Sequence, residues 1–215
     1  PEEQRGLVEA LGAAPGDLLI LVAGATDVVH GALDGLRRDV GRRLGLAAAD
    51  LAFAWVVDFP LLRWDGEERR WNAEHHPFTH PRPDDLDRLA TDPGSVRASC
   101  YDLVCNGWEL GSGSLRVHER ALQEQILALL AFTPEEAEAS FGHLLEAFDY
   151  GAPPHGGFAV GIDRLVAILA GTDTIRDVIA FPKTRQTSDL TMRAPAPVTQ
   201  AQLDEIHLRV VPRKA

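Results

Sequence analysis

Apolar residues recur along this chain with two spacings, and each spacing predicts one kind of element. Alternation on both sides of Asn106 and Gly107 predicts a β-hairpin, because an Asn-Gly pair suits a type I′ turn in which both central residues have positive φ. Spacings of three and four residues instead predict amphipathic helices. Their apolar stripes are Val29, Leu33, Leu36, Val40 and Leu44; Leu122, Ile126, Leu129 and Leu130; and Phe141, Leu144, Leu145 and Phe148.

Residues at the ends of the helical stretches indicate where the helices begin and end. Asp27 is a plausible N-cap for the first stripe. Thr133 and Glu136 form a capping-box pattern, with the threonine at the N-cap and the glutamate at the third helical position. A further helix is expected over residues 162–170 and should end at Gly171, because glycine adopts the left-handed conformation that closes helices.

The remaining segments have weaker patterns. We expect strands over residues 17–23 and 51–60, the second largely buried because it is rich in β-branched and aromatic residues. A polar, irregular stretch is expected around residues 64–83. Near the C-terminal end, the pattern predicts a capped short helix over residues 172–183, a loop to Pro197, and a helix followed by a strand over residues 200–211.

The predicted hairpin brings acidic side chains together. With Asn106 and Gly107 as the loop, Cys105 faces Trp108, Val104 faces Glu109, and Asp102 faces Gly111. Asp102 and Glu109 then share one face of the sheet as diagonal neighbours, roughly 7–8 Å apart. Two carboxylates at that separation can hold a divalent cation between them.

Arg116 joins these carboxylates only if the strand is irregular. Glu109 and Arg116 are seven residues apart, and an odd separation on a regular strand places side chains on opposite faces. The run Gly111-Ser112-Gly113 is typical of a β-bulge, which inserts one residue and restores the phase. A bulged hairpin therefore gathers Asp102, Glu109 and Arg116, whereas a regular one is an ordinary edge hairpin with solvated charges.

Composition narrows the classes of protein to consider. The 215 residues can form one large or two small domains, and a hydrophobic content of 45% is enough for a core. A net charge of −11 argues against broad attraction to nucleic acid or to an anionic membrane. The longest apolar run, residues 18–25, is shorter than the roughly 20 residues of a transmembrane helix. We therefore expect a soluble cytoplasmic protein with no membrane partner.

Cysteine and histidine give little sign of a metal centre. Cys100 and Cys105 are five residues apart in one predicted strand, so they face opposite ways and predict neither a disulfide nor a zinc site. His75 and His76 are adjacent on a segment expected to be extended, where neighbouring side chains point to opposite sides.

The glycine-rich stretch before Arg164 is a weak phosphate-binding signal, with the arginine in the first turn of a helix.

Several of these motifs occur in the same order in one known family. The chain resembles the C-terminal portion of a bacterial-type aspartyl-tRNA synthetase, a class II enzyme. This resemblance implies an α+β fold, in which an antiparallel sheet with flanking helices over residues 49–215 follows a small α/β insertion-domain segment over residues 1–48. The resemblance rests on residues 53–61, 75–79, 101–118, 141–164 and 171–183.

The resemblance implies a role for each candidate residue. Asp102 and Glu109 match the acidic residues that hold Mg²⁺ against the ATP phosphates, and Arg116 matches the arginine that reads the aspartate side chain. His75 matches a histidine near the amino-acid site. The third class II motif corresponds to Gly161, Ile162, Asp163 and Arg164, whose arginine contacts ATP.

The implied reaction joins L-aspartate to tRNA through aspartyl-adenylate. The substrate carboxylate attacks the α-phosphate of ATP, and the aspartyl group then passes to the terminal ribose of the tRNA. The reaction needs no catalytic nucleophile from the protein, so positioning and charge stabilisation are expected to provide the catalysis. The parent enzyme is expected to be a homodimer.

Departures from the family pattern leave other readings open. Ser112 interrupts the usual triple glycine, and Trp108 replaces a tyrosine. The first two class II motifs and the anticodon-binding barrel have no counterpart in this sequence, so we expect a piece of a larger enzyme that is inactive alone. One alternative is a stand-alone binding or regulatory module derived from a synthetase. Another is an ATP-dependent ligase that amidates aspartate to asparagine.

Overall fold

A computed structural model describes residues 2–46 and 50–211 of the chain. The chain divides into two compact units, Pro1–Asp50 and Leu51–Ala215. Among the described residues, no helix combines the length and the apolar character needed to cross a bilayer.

The first unit contains the helices α1 (Glu2–Ala10) and α2 (Thr26–Arg43), and none of its described residues is buried. Our prediction of a strand over residues 17–23 is wrong: this segment is irregular, because the described part of the unit offers no second strand with which it can pair. The N-cap of α2 is Ala25 and not Asp27, which lies in the first turn, where its charge still complements the helix dipole.

A four-stranded antiparallel sheet forms the centre of the second unit. It contains β1 (Phe53–Val57), β4 (Cys100–Cys105), β5 (Trp108–Leu115) and β6 (Gly156–Val160), in the spatial order β1-β4-β5-β6. The α+β fold with an antiparallel sheet is therefore confirmed.

A separate hairpin of β2 (Leu62–Asp65) and β3 (Arg70–Ala73) replaces part of the expected irregular stretch. Trp64 and Trp71 face each other across this hairpin, with their ring centroids 5.3 Å apart. Two 3₁₀ turns, Pro83–Arg88 and Pro93–Ser95, follow it.

Helices α3 (Arg120–Leu129) and α4 (Pro134–Asp149) confirm the predicted amphipathic stripes. Ile126 and Leu130 belong to the main hydrophobic core, while Ala137, Leu145 and Phe148 are the buried apolar side chains of α4. The capping box is also confirmed: Thr133 accepts from the backbone of Glu136, whose side chain accepts from the backbone of Thr133.

The last predicted elements are only partly present. Helix α5 (Ile162–Ala170) ends as expected at Gly171, which has a φ of 67°. The helix expected over residues 172–183 is reduced to one 3₁₀ turn, Ile175–Asp177, capped by Thr174. Helix α6 (Gln200–Glu205) is present, but residues 208–211 are irregular instead of a strand, because a strand needs a hydrogen-bonded neighbour.

Strand β1 is present, but our prediction that it is largely buried is wrong. Phe53 and Trp55 are each 59% exposed, and Val57 is 53% exposed. The reason is that β1 lies at the edge of the sheet. Tyr101 and Phe158 contact the Trp55 ring through edge-on packing and cover only part of it.

The chain between β3 and β4 is anchored at several points beside the sheet. Thr79 forms a β-bridge with Arg116, and the side-chain amide of the buried Gln123 donates to the carbonyl of Pro77 at 2.8 Å. Further along, the guanidinium of Arg97 donates to the buried Asp85 and holds the pKa of that carboxyl well below its usual range. The contacts of Thr79 and Pro77 hold the backbone that directly follows His75 and His76.

Candidate active site

The turn between β4 and β5 has the predicted geometry. Asn106 and Gly107 both have positive φ, 49° and 83°, and they leave Cys105 paired with Trp108 and Val104 paired with Glu109. The side-chain oxygen of Asn106 also accepts from the backbone of Ala52 at 2.8 Å. The turn therefore holds the start of β1 as well as joining β4 to β5.

A β-bulge in β5 decides which side chains share a face. Val104 pairs with Glu109 and Leu103 pairs with Gly111, so Leu110 is the extra residue. The predicted bulge is confirmed, although it lies one residue before the glycine-serine-glycine run. Because of this shift, Asp102 faces Ser112 and not Gly111 as we predicted.

The extra residue restores the phase between Glu109 and Arg116. Asp102 pairs with Ser112, so these two side chains lie on the same face of the sheet. Alternate residues of a strand share a face, so Ser114 and Arg116 lie on that face as well. Glu109 also lies on this face, because it pairs with Val104, which is two residues from Asp102 on β4. The strand register thus agrees with the predicted grouping of two acids and one guanidinium, and it excludes the regular hairpin.

A cavity of about 140 Å³ opens on this face. Both histidines contribute to it, which contradicts our expectation that they point to opposite sides. The expectation fails because the chain bends at His75 and is not extended there. The residues that line the cavity are His75, His76, Cys100, Ser112, Gly113, Ser114 and Arg116.

Arg116 lies in this cavity with no carboxylate partner among the described residues. Its Nη1 atom is 2.5 Å from Nε2 and 3.1 Å from Nδ1 of His76. A guanidinium can only donate hydrogen bonds, so the imidazole must accept and is therefore neutral. Burial is the main cause that lowers the pKa of His76, and the positive charges of Arg116 and His75 lower it further.

The surroundings of His76 contain more donors than acceptors. The backbone N–H of Phe78 donates to Nδ1 at 3.2 Å, while Arg116 approaches Nε2. A neutral imidazole accepts through only one ring nitrogen, so the backbone N–H and the guanidinium compete for a single acceptor. An anion bound in the cavity would supply the missing acceptors.

Cys100 contributes a thiol to the wall of the cavity. Cys100 lies 3.8 Å from Nδ1 of His75, and burial, followed by the charge of Asp102, raises its thiol pKa to about 11. Both cysteines are free, as we predicted. The ring of Phe59 packs edge-on against His75 at 4.7 Å. Sequence reasoning singled out His75, whereas the histidine that contacts Arg116 is His76.

Asp102 and Glu109 differ in their contacts. The Oδ1 atom of Asp102 is buried and has no hydrogen-bond partner among the described residues. Glu109 is half-exposed, with Oε1 3.3 Å from Nη1 of Arg164, and this Nη1 also donates to the Glu109 carbonyl at 2.7 Å. The first turn of α5 is thereby tied to β5.

The donor set fits Mg²⁺. No cluster of three or more histidine, cysteine, aspartate or glutamate side chains suited to a metal ion occurs in the described residues. Mg²⁺ in nucleotide sites keeps several waters and binds through one or two carboxylates and the phosphates, so a larger cluster is not required. Asp102, with its unpartnered oxygen, and the half-exposed Glu109 are suitable ligands of this kind.

The start of α5 lies next to the bulge. Gly161 is the N-cap, and its N–H donates to the carbonyl of Leu110 at 2.7 Å. Ile162 is exposed, and Asp163 is the acidic residue of the first turn. Residues 161–164 therefore lie beside Glu109, while Arg116 lies further along the same face.

Comparisons with known proteins agree on one family. A family model described as tRNA synthetases class II (D, K and N) matches residues 26–185. The chain is 54% identical to the aspartate–tRNA(Asp/Asn) ligase of Heliobacterium modesticaldum, with 100% of the chain and 36% of that protein covered. It is 55% identical to the aspartate–tRNA ligase of Geobacillus kaustophilus, with 98% and 36% covered.

An aspartyl tRNA synthetase from Entamoeba histolytica matches with a TM-score of 0.49 and 20% identity, over 86% of this chain and 31% of that one. The chain spans about a third of the length of the curated relatives it matches.

Proposed function

Because the chain belongs to the class II tRNA synthetases of the D, K and N group, we propose that it forms the aspartate, ATP and magnesium part of the active site of an aspartate–tRNA ligase. Two relatives that carry this activity in their names share more than half of its residues. The observation that carries the proposal is the guanidinium of Arg116, which lies in a small cavity and has no carboxylate partner among the described residues. We further propose that residues 1–48 are the end of an insertion domain and that residues 49–215 belong to the catalytic domain.

Arg116 is the proposed receptor for the side-chain carboxylate of L-aspartate. A guanidinium forms two parallel, charge-assisted hydrogen bonds with a carboxylate, and the carboxylate also supplies the acceptors that the cavity lacks. Asparagine would turn an amide N–H₂ group towards these donors and leave one of them unpaired, so the site should reject it. His75 and His76 complete the wall of this pocket.

ATP is proposed to bind at the other end of the same face. Asp102 and Glu109 would hold Mg²⁺, which supplies positive charge to the phosphates when it is bound. Arg164 carries a second positive charge close to Glu109, in the first turn of α5, where the backbone dipoles also favour an anion. Gly161, Ile162 and Asp163 are assigned to the nucleotide site with it.

The proposed reaction begins with attack of the aspartate α-carboxylate on the α-phosphate of ATP, which releases pyrophosphate. A hydroxyl of the terminal ribose of tRNA then attacks the aspartyl carbonyl, the bond to the adenylate phosphate breaks, and AMP leaves. The residues of this chain contribute by orienting the two substrates and by stabilising negative charge, and none acts as a nucleophile. A homodimer in the cytoplasm is the proposed form of the parent enzyme.

The test is aspartate-dependent exchange of labelled pyrophosphate into ATP, measured on the complete gene product that contains this chain. Arg116→Ala should lower kcat/KM for aspartate by at least about a hundredfold, because it removes two charge-assisted hydrogen bonds. The KM for ATP should change little. Arg37→Ala is a matched control, since that arginine is exposed and forms only a surface ion pair with Asp34.

An unaltered exchange rate in the Arg116→Ala protein would contradict the assignment of the aspartate pocket. No aspartate-dependent exchange in the unaltered protein would contradict the proposed activity as a whole.

A further inference from the structure

Ser112 carries the one hydroxyl in the cavity wall that has no hydrogen bond within the described residues. Ser114, the other serine of the wall, lies 3.4 Å from Nε2 of His76. Ser112 pairs across the sheet with Asp102, whose Oδ1 atom is also without a partner in the described part of the chain. Ser112 and Asp102 are therefore neighbours on the face of the sheet that also carries Glu109, Ser114 and Arg116, which we call the polar face.

The position of Ser112 along β5 places it between the two proposed substrate sites. Arg116 reaches back along the strand, because its Nη1 atom and the hydroxyl of Ser114 both approach Nε2 of His76. Ser112 is the next residue on that face, about 6–7 Å further along. Beyond it, in the same direction, lie Glu109 and Arg164, the proposed ATP end.

The orientation of the bound amino acid follows from this order. An aspartate whose side-chain carboxylate is held by Arg116 must direct its α-carboxylate towards the ATP end, because this group attacks the α-phosphate. The α-carboxylate then passes over Ser112, which is the only side chain of β5 on this face between Ser114 and the bulge.

We propose that the hydroxyl of Ser112 donates a hydrogen bond to the α-carboxylate of the bound aspartate and thereby positions the attacking group. This inference rests on the proposed function and extends it to a residue that binds the substrate at its reacting end. The hydrogen bond should be stronger in the ground state than during attack, because the carboxylate loses negative charge as it bonds to phosphorus. Ser112 should therefore affect aspartate binding more than turnover.

The experiment compares Ser112→Ala with the unaltered complete gene product in the pyrophosphate exchange assay. We expect the KM for aspartate to rise about tenfold and kcat to change by less than about threefold, with the KM for ATP unchanged. Ser112→Gly also lacks the hydroxyl and should give the same result. Ser140→Ala, at an exposed position of α4, is the matched control and should leave the KM for aspartate unaltered.

A second readout separates a direct contact from a change in the shape of the pocket. β-Alanine is aspartate without its α-carboxylate, so its inhibition constant should be the same for the Ser112→Ala and unaltered proteins. A KM that does not rise in either Ser112 variant, or an inhibition constant for β-alanine that rises together with the KM, would overturn the inference alone. An unaltered protein without aspartate-dependent exchange would instead overturn the proposed function, and the inference with it.

Discussion

The two faces of the four-stranded sheet differ in how completely their side chains find packing or hydrogen-bond partners within the sheet and its surroundings. The face opposite the polar one, which we call the apolar face, carries Trp55, Tyr101 and Phe158. Their rings contact each other, with centroids 5.8 to 6.3 Å apart, although Trp55 and Phe158 remain partly exposed. On the polar face, a buried oxygen of Asp102 has no partner within the described residues, and Arg116 contacts a neutral imidazole in place of a carboxylate. One face is held together by its own contacts, whereas the other has polar groups without matching partners.

This difference indicates what each face contributes. Unpartnered polar groups reduce stability, because they lose water without gaining a full set of hydrogen bonds. Such groups persist where a ligand supplies the missing partners. Substitutions on the polar face should therefore change activity more than stability, and substitutions on the apolar face should do the reverse.

The largest effect on stability is expected at Gly113, whose backbone lines the cavity but whose added Cβ would project from the apolar face. A Cβ atom at this position would lie 2.2 Å from the carbonyl oxygen of Gly157 and 2.5 Å from the Tyr101 ring. Gly113→Ala should lower the free energy of unfolding by about 2–3 kcal/mol, because the strand would have to move to admit the methyl group. Urea denaturation of the complete gene product measures this change.

Gly157→Ala is the matched control, since a Cβ at that position meets no atom within 4 Å. It should leave stability unchanged or raise it by less than about 1 kcal/mol. Equal destabilisation by both variants would contradict the steric explanation.

An opposite result is expected on the polar face at Asp102. Asp102→Asn removes a partly buried charge, so the free energy of unfolding should stay the same or rise by up to about 1 kcal/mol. Activity should nevertheless fall, and the Mg²⁺ concentration for half-maximal exchange should rise about tenfold, because the amide is a weaker ligand for a hard cation. Magnesium titrations of the exchange reaction measure this shift.

Asp87→Asn, at an exposed position in the 3₁₀ turn Pro83–Arg88, should change neither quantity. A large loss of stability in Asp102→Asn would show that Asp102 supports the fold, and the contrast between the two faces would fail at this residue.

The smallest effect is a pH dependence from His76. The pKa of this residue is lowered in the folded protein, so the unfolded chain takes up the proton first as the pH falls below about 6.5. The contribution of His76 to stability is therefore present above that pH and is lost as the pH falls towards the lowered pKa. Urea denaturation at about pH 7.5 and about pH 5.5 should show a smaller decrease for His76→Gln than for the unaltered protein.

His143, which is exposed on α4, provides the comparison. The decrease in stability should be the same for His143→Gln and for the unaltered protein. If the two substitutions had the same effect, the pH dependence would not originate in the cavity.

Local chemistry in the sequence predicted much of the site. The Asn106-Gly107 pair gave the turn and its register, because the required positive φ values depend on those two residues alone. The bulge followed from the odd spacing of Glu109 and Arg116, although its position at Leu110 did not. Thr133 likewise marked the start of α4 through a capping box that involves only its own neighbours.

Features that depend on distant contacts were not predicted. The exposure of Trp55 depends on which elements lie against β1, and the strand expected over residues 17–23 lacked a partner in the described part of its unit. The two histidines line one cavity because the chain bends at His75, which periodicity does not reveal. His76 became a candidate only through its side-chain contact with Arg116, and Ser112 only through its pairing with Asp102.

The bulge at Leu110 has a consequence for how this protein can evolve. Side chains alternate between the two faces of a strand. Insertion or deletion of a single residue between positions 109 and 116 would therefore place Glu109 and Arg116 on opposite sides of the sheet. Natural variants should therefore exchange residues within this segment while keeping its length constant. Conserved length here would be a sign of function that identity at individual positions does not give.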